Sequence, residues 1–130
     1  MTAVLLDTHA MHWWFAEPQR LSPAAGLAIS AVDEIVVASI TWYELAWLAT
    51  NDRIDIDVPL AAWLARMAAA VRTVGITPAI AATATSLPPS FPRDPSDRII
   101  YATAIEHGWP LVTKDRGIRD HAGVGPGVIW

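Results

Sequence analysis

Ala3-Val4-Leu5-Leu6-Asp7 opens the chain with four apolar residues that end on a carboxylate. A continuous apolar run, without polar alternation, reads as a strand buried on both faces, as in parallel sheets. The same signature recurs at Ile35-Val36-Val37-Ala38, at Pro110-Leu111-Val112-Thr113 and at Val128-Ile129-Trp130, and more weakly at Val74-Gly75-Ile76-Thr77. Helical stretches fill the intervals. Thr8 to Ala16 ends before Pro18. Ser22-Pro23 pairs an N-cap with a proline at the first helical position and starts a helix to about Val32. Ser39 is the expected cap of a helix through Thr50, and Pro59 precedes one from Leu60 to about Arg72, with Leu60, Trp63, Leu64 and Met67 at helical spacing. Pro78 starts a helix that ends before Pro88-Pro89. Residues 87–93 carry three prolines and read as a loop. Asp94-Pro95 starts a helix that Gly108 closes. The predicted order is β-α-α-β-α-α-β-α-α-β-(short helix)-β, an α/β fold with a parallel sheet.

Composition narrows the function classes. The chain has 130 residues, a length that suits a single domain. It has no cysteine, which removes disulfide, zinc-thiolate and thiol-nucleophile chemistry and fits a reducing compartment. No apolar stretch approaches the roughly 20 residues of a membrane span. No basic segment precedes the first apolar run, so a secretory signal is not expected and the expected home is the cytoplasm. The net charge is −4, which argues against a generally basic nucleic-acid binder. Yet five of the nine basic residues, Arg93, Arg98, Lys114, Arg116 and Arg119, fall in the last third among Asp94, Asp97 and Asp115. That interleaving suggests a metal site with a basic border.

The acids are placed by the expected fold. In open parallel sheets, ligands bind beyond the carboxyl ends of the strands, where strand order reverses. Asp7 follows strand one and Asp115 lies just past strand four. Glu44 is in the second turn of the helix after strand two, and Asp97 is in the first turn after the Pro-rich loop. If strands one and four are neighbours, the four carboxylates converge. Such a cluster repels itself and raises its own pKa values unless a cation neutralises it. Mg²⁺ takes oxygen ligands and retains several waters. Each acid also has a structural reading. Asp7 and Asp115 can cap helices, Asp94 is expected as an N-cap, and Asp97 faces a helix dipole. Glu44 stands among Trp42, Tyr43, Leu45 and Trp47, where few charges accompany it.

Leu5-Leu6-Asp7-Thr8-His9, Ser39 with Glu44-Leu45, Arg93-Asp94-Pro95-Ser96-Asp97-Arg98 and Leu111-Val112-Thr113-Lys114-Asp115 together resemble the PIN-domain family, and within it VapC-type toxins of toxin–antitoxin pairs. The resemblance runs over the whole chain, and D-P-x-D-R before an apolar helix is its most specific part. It implies a three-layer α/β/α sandwich with a five-stranded parallel sheet ordered 3-2-1-4-5. It also implies endoribonuclease activity dependent on Mg²⁺ or Mn²⁺, and inhibition by a cognate VapB-like antitoxin. By position, Asp7, Glu44, Asp97 and Asp115 match the family's acidic quartet, and Thr8 and Thr113 match its supporting polar residues. Asn51-Asp52-Arg53 replaces a common Gly-Arg, with Asn51 expected to supply the left-handed turn.

Arg93, Arg98, Lys114, Arg116 and Arg119 are expected to include the contacts to RNA phosphates, with at least one tied instead to Asp94 or Asp120. Apolar residues make up 53% and charged residues 17%, against roughly 45–50% and 25% in typical domains. With Trp13, Trp14, Trp42, Tyr43 and Trp47 on two helices, this excess suggests a protein partner and a homodimer. The rivals are a solitary nuclease of the same family and a non-catalytic interaction module. A haloacid-dehalogenase-type phosphatase needs a second Asp where His9 stands. A receiver domain needs an acidic pair where Asp7 stands alone. His9 and His12 lack the context of a metal motif.

Overall fold

The computed structural model describes residues 2–121 and 127–130. Its centre is a five-stranded sheet, parallel throughout, in the order β3-β2-β1-β4-β5. The strands are β1 (Ala3–Leu6), β2 (Glu34–Ala38), β3 (Arg72–Val74), β4 (Leu111–Val112) and β5 (Val128–Ile129). Alternate residues of each strand serve opposite faces. Val4, Leu6, Val37 and Val112 pack against Ala10 and Met11 of α1 (Thr8–Ala16), Ile29 of α2 (Pro23–Ser30), Leu45 of α3 (Ile40–Thr50) and Met67 of α4 (Leu60–Ala69). Leu5, Val36 and Leu111 pack the other way, against Ile100, Tyr101 and Ala104 of α6 (Pro95–His107) and Ile118 of α7 (Arg116–Arg119). Ile80 and Ala84 of α5 (Pro78–Ser86) extend that layer against Ala102. The result is the expected α/β/α sandwich, in which every central strand is covered on both sides.

Most helix boundaries follow from local chemistry. Ser22 accepts from the Ala25 N–H at 3.1 Å, Thr77 from the Ile80 N–H at 3.1 Å and Asp94 from the Ser96 N–H at 2.8 Å. In each case Pro occupies the next position, where its missing N–H is harmless. Gly108 closes α6 in the left-handed region at φ 69°.

Four local expectations are corrected. First, β3 is Arg72–Val74, not 74–77, and α4 stops at Ala69. The third strand is fixed by pairing with β2, Val36 opposite Arg72 and Ala38 opposite Val74, and it is an edge strand whose outer residues are exposed. Edge strands accept Arg and Thr, so hydropathy misplaced it. Second, Ser39 makes no side-chain cap: it is already helical, at φ −58° and ψ −28°. Its N–H donates to the Val74 carbonyl at 2.8 Å, so the sheet rather than a hydroxyl sets the entry to α3. Third, Asp52, not Asn51, takes the left-handed conformation, at φ 56°. The Arg53 N–H then returns to the Leu48 carbonyl at 2.8 Å, and the Asn51 side chain donates to the Trp47 carbonyl at 2.8 Å. Fourth, α2 ends at Ser30, short of Val32.

Candidate active site

Strand order reverses between β1 and β4, because the chain builds outward from β1 through β2 to β3 and then returns to its other side. The carboxyl ends of β1 and β4 are therefore adjacent, with the Asp7 N–H donating to the Val112 carbonyl at 3.1 Å. Asp7 is buried. One of its oxygens accepts from the Ala10 N–H at 2.8 Å, capping α1, and the other accepts from the Thr113 hydroxyl. That hydroxyl also accepts from the Asp115 N–H at 3.0 Å. Thr113 thus links the first and last acids of the set. Asp115 caps α7 through the Ile118 N–H at 3.0 Å. Capping and lining of the cleft coincide in both residues.

Glu44 projects from α3 toward the same place. It accepts from the Thr8 hydroxyl, which lies 3.3 Å from the Thr41 hydroxyl, and from Ser96 on α6. Asp97 stands in the first turn of α6. The four acids, from four different elements, line one cleft of about 780 Å³ together with Asp94, Thr8, Ser96 and Lys114. The aromatic wall of this cleft is Trp13, Tyr43 and Trp47.

Electrostatics report the same convergence. Burial pushes the Asp7 carboxyl above the ordinary carboxylate range, against the lowering effect of its hydrogen bonds from Thr113 and Ala10. Glu44 is raised by burial and by Asp94, against the opposing hydrogen bonds from Thr8 and Ser96. Asp97 is pushed up to about 7, first by burial and then by Asp94, Asp115, Glu44 and Asp7. Four neighbouring acids all raise it. Among the described residues, no three carboxylates or imidazoles are gathered into a ready-made metal cage.

The basic residues divide. Lys114 lines the cleft, with its ammonium 5.8 Å from the Trp13 ring. Arg93, Arg116 and Arg119 are exposed and, among the described residues, form no ion pair with Asp94 or Asp120. Arg98 must be withdrawn from the phosphate contacts. Its guanidinium donates to the backbone carbonyls of Pro92, Ala84, Leu87, Pro88 and Phe91 at 2.9–3.3 Å. No donor is left for a ligand. Sequence reasoning missed Ser96 and Thr41 as partners within the site, and favoured the cap reading for Asp94, which both caps α6 and lines the cleft. The D-P-x-D spacing placed Asp94 and Ser96 beside Asp97 and was the available signal. His9 and His12 part company: His9 is exposed at the cleft, while His12 is buried against Glu17 at 3.2 Å.

Tyr43 and Trp47, four residues apart, share the outer face of α3 and are 67% and 45% exposed. Trp42 points elsewhere and donates from its indole N–H to the Thr73 hydroxyl at 3.0 Å.

A family model described as "PIN domain" matches residues 4–124. The chain is a PIN-domain protein. It is 61% identical over all 130 residues to Ribonuclease VapC22 of Mycobacterium tuberculosis, with each chain fully covered, which places this PIN domain in the VapC branch. Solved structures share the fold at low identity. One is a toxin–antitoxin complex from Klebsiella pneumoniae, with TM-score 0.69 and 24% identity over 98% of this chain and 96% of that one. Another is VapBC2 from Rickettsia felis bound to a promoter DNA fragment, with TM-score 0.71 and 12% identity over 98% and 97%. A third is VapBC-5 from Mycobacterium tuberculosis, with TM-score 0.65 and 16% identity over 98% of both chains.

Proposed function

We propose that this PIN domain is an endoribonuclease that depends on Mg²⁺ or Mn²⁺, and that it is the toxin of a toxin–antitoxin pair. The observation that carries the reading is the meeting of Asp7, Glu44, Asp97 and Asp115 in one cleft at the switch point of the sheet. The ribonuclease name of a relative 61% identical over its full length supports the substrate class. The four acids, with Thr8 and Ser96 beside them, offer carboxylate and hydroxyl oxygen, which suits a hard divalent cation. Such an ion keeps part of its water shell, so the lack of a direct cage among the described residues is compatible with it. Asp7 and Asp97 are the residues we assign to contact with the ion, directly or through its waters. Bound there, the cation supplies charge neutralisation and a more acidic water.

The chain's own groups do the rest. Thr113 holds the Asp7 carboxylate in place and joins it to the Asp115 backbone. Thr8 and Ser96 orient Glu44. Glu44 and Asp115 complete the ring and orient the attacking water. Lys114, with Arg93, Arg116 and Arg119 as the exposed border, binds phosphates flanking the cut. We place the protein in the cytoplasm on its cysteine-free sequence; among the described residues, no helix is long and apolar enough to cross a membrane.

A VapB-like antitoxin and a homodimer are the proposed assemblies. The fold neighbours that are toxin–antitoxin complexes support the first, and the exposed Phe15, Leu27, Tyr43 and Trp47 support both. The activity test is incubation of the purified chain with total RNA and Mg²⁺, followed by mapping of the new ends. Discrete metal-dependent cuts are expected. Binding of RNA without any cut would favour an interaction module.

A further inference from the structure

The side chain of Arg98 is occupied in an unusual way. All its donors enter one concave stretch of backbone, from the last turn of α5 through the Pro-rich segment 87–92. The guanidinium also lies 5.8 Å from the Phe91 ring centre. Carbonyls at the end of α5 carry the negative end of its dipole, so a cation is well placed there. Arg98 itself sits one residue after Asp97 on α6.

The far side of the same segment is wedged against α7. The Pro92 ring lies so close to Gly117 that a methyl group there would stand 2.9 Å from Pro92 Cγ and 3.1 Å from an Asp115 carboxylate oxygen. Ser90 offers its carbonyl to the His121 ring at 2.9 Å. Phe91 is buried between the rings of Tyr101, at 5.0 Å, and His121, at 5.5 Å. Residues 87–92 therefore touch both the helix that carries Asp97 and the helix that Asp115 caps, beside the direct packing of Ile118 against α6. Arg98 holds that bridging segment from the α6 side.

We propose that Arg98 is a positioning residue for the active site: by clamping residues 87–92 it fixes the spacing between Asp97 and Asp115. The proposal rests on the reading of these acids as a divalent-cation site. Partners that orient ligands from outside the ligand shell typically affect metal affinity by about 10–100-fold. Lys cannot replace the fork of donors, since a single ammonium reaches at most three acceptors from one point.

The test is Mn²⁺ binding to the full chain, read from the free-Mn²⁺ electron paramagnetic resonance signal. Wild type, Arg98→Ala, Arg98→Lys and Ile80→Val are compared. Ile80 is buried in α5 away from the cleft and serves as a control for general loss of stability. The expected result is a Kd raised about tenfold in Arg98→Ala and by less in Arg98→Lys, with Ile80→Val unchanged. If Arg98→Ala does not fold, Arg98→Lys carries the comparison. Wild-type Kd in the folded Arg98 variants would overturn the positioning role and leave the metal reading standing. An equal loss in Ile80→Val would reduce Arg98 to a stability element. A wild-type chain that binds no Mn²⁺ would remove the metal reading, and this proposal with it.

Discussion

Asp7 shows how much one position does here. It ends a buried strand, caps a helix and presents a buried carboxylate to the cleft. Asp7→Asn keeps the shape and removes the charge, so the fold should survive while RNA cleavage falls by at least ~100-fold. Circular dichroism and a cleavage assay on the same preparation check this. Thr113→Val removes the hydroxyl that serves Asp7 and Asp115 together. It should lower cleavage about tenfold or more and cost about 1–3 kcal/mol of stability in denaturant melts, because two polar groups lose a partner. The acids also predict a pH effect on stability. Asp97, raised to about 7, binds protons more tightly folded than unfolded, and Asp7 and Glu44 shift in the same direction. The Asp97 contribution to stability is full below pH 3.8 and is lost as pH rises through about 7, and those of Asp7 and Glu44 are likewise lost as pH rises. His12, held below its ordinary value by burial, acts oppositely. The decisive quantity is therefore a difference. In EDTA, the fall in Tm from pH 5 to pH 8 should be smaller in Asp97→Asn than in wild type. An identical fall in both would contradict the coupling.

Elements with strong local signals were legible before any coordinates. Ser22-Pro23 and Asp94-Pro95 start helices because a side chain supplies the missing acceptor and Pro needs none; Pro78 marks a third start, though its cap, Thr77, reads as strand in the sequence. Buried strands β1, β2 and β4 announced themselves as continuous apolar runs. What failed was decided by contacts distant in sequence. β3 is set by its pairing with β2, and α3 is entered through a backbone bond from Ser39 to Val74. The Arg98 clamp was illegible for the same reason: a basic residue beside an acidic motif looks like a phosphate ligand until its acceptors, 6 to 14 residues upstream, are seen. The caps give a direct contrast. Ser22→Ala should destabilise by about 1 kcal/mol, and Ser39→Ala, whose hydroxyl caps nothing, by under about 0.5 kcal/mol. Chemical denaturation of the two variants measures both.

At the scale of the whole molecule, the proposed binding of RNA at an acidic cleft, on a chain of net charge −4, calls for a cation between the two. The basic border then supplies the salt-dependent part of affinity. Replacing Lys114 by Ala in an Asp7→Asn background should weaken RNA binding and lower the salt slope by about 1, read by fluorescence anisotropy across ionic strengths. An unchanged slope would put the phosphate contacts elsewhere. Exposed Tyr43 and Trp47 predict self-association or partner capture, visible by light scattering with and without the cognate antitoxin. The central claim is that four carboxylates from four elements form one cation-dependent cutting site. Its most direct test is single-turnover cleavage of a labelled RNA by wild type, Asp7→Asn and Asp97→Asn across a Mg²⁺ titration that starts in EDTA. Wild type should not cut in EDTA and should recover saturably with Mg²⁺, and neither folded variant should recover at any Mg²⁺ concentration. Wild-type cutting in EDTA, or full Mg²⁺-dependent activity in either variant, would contradict the claim.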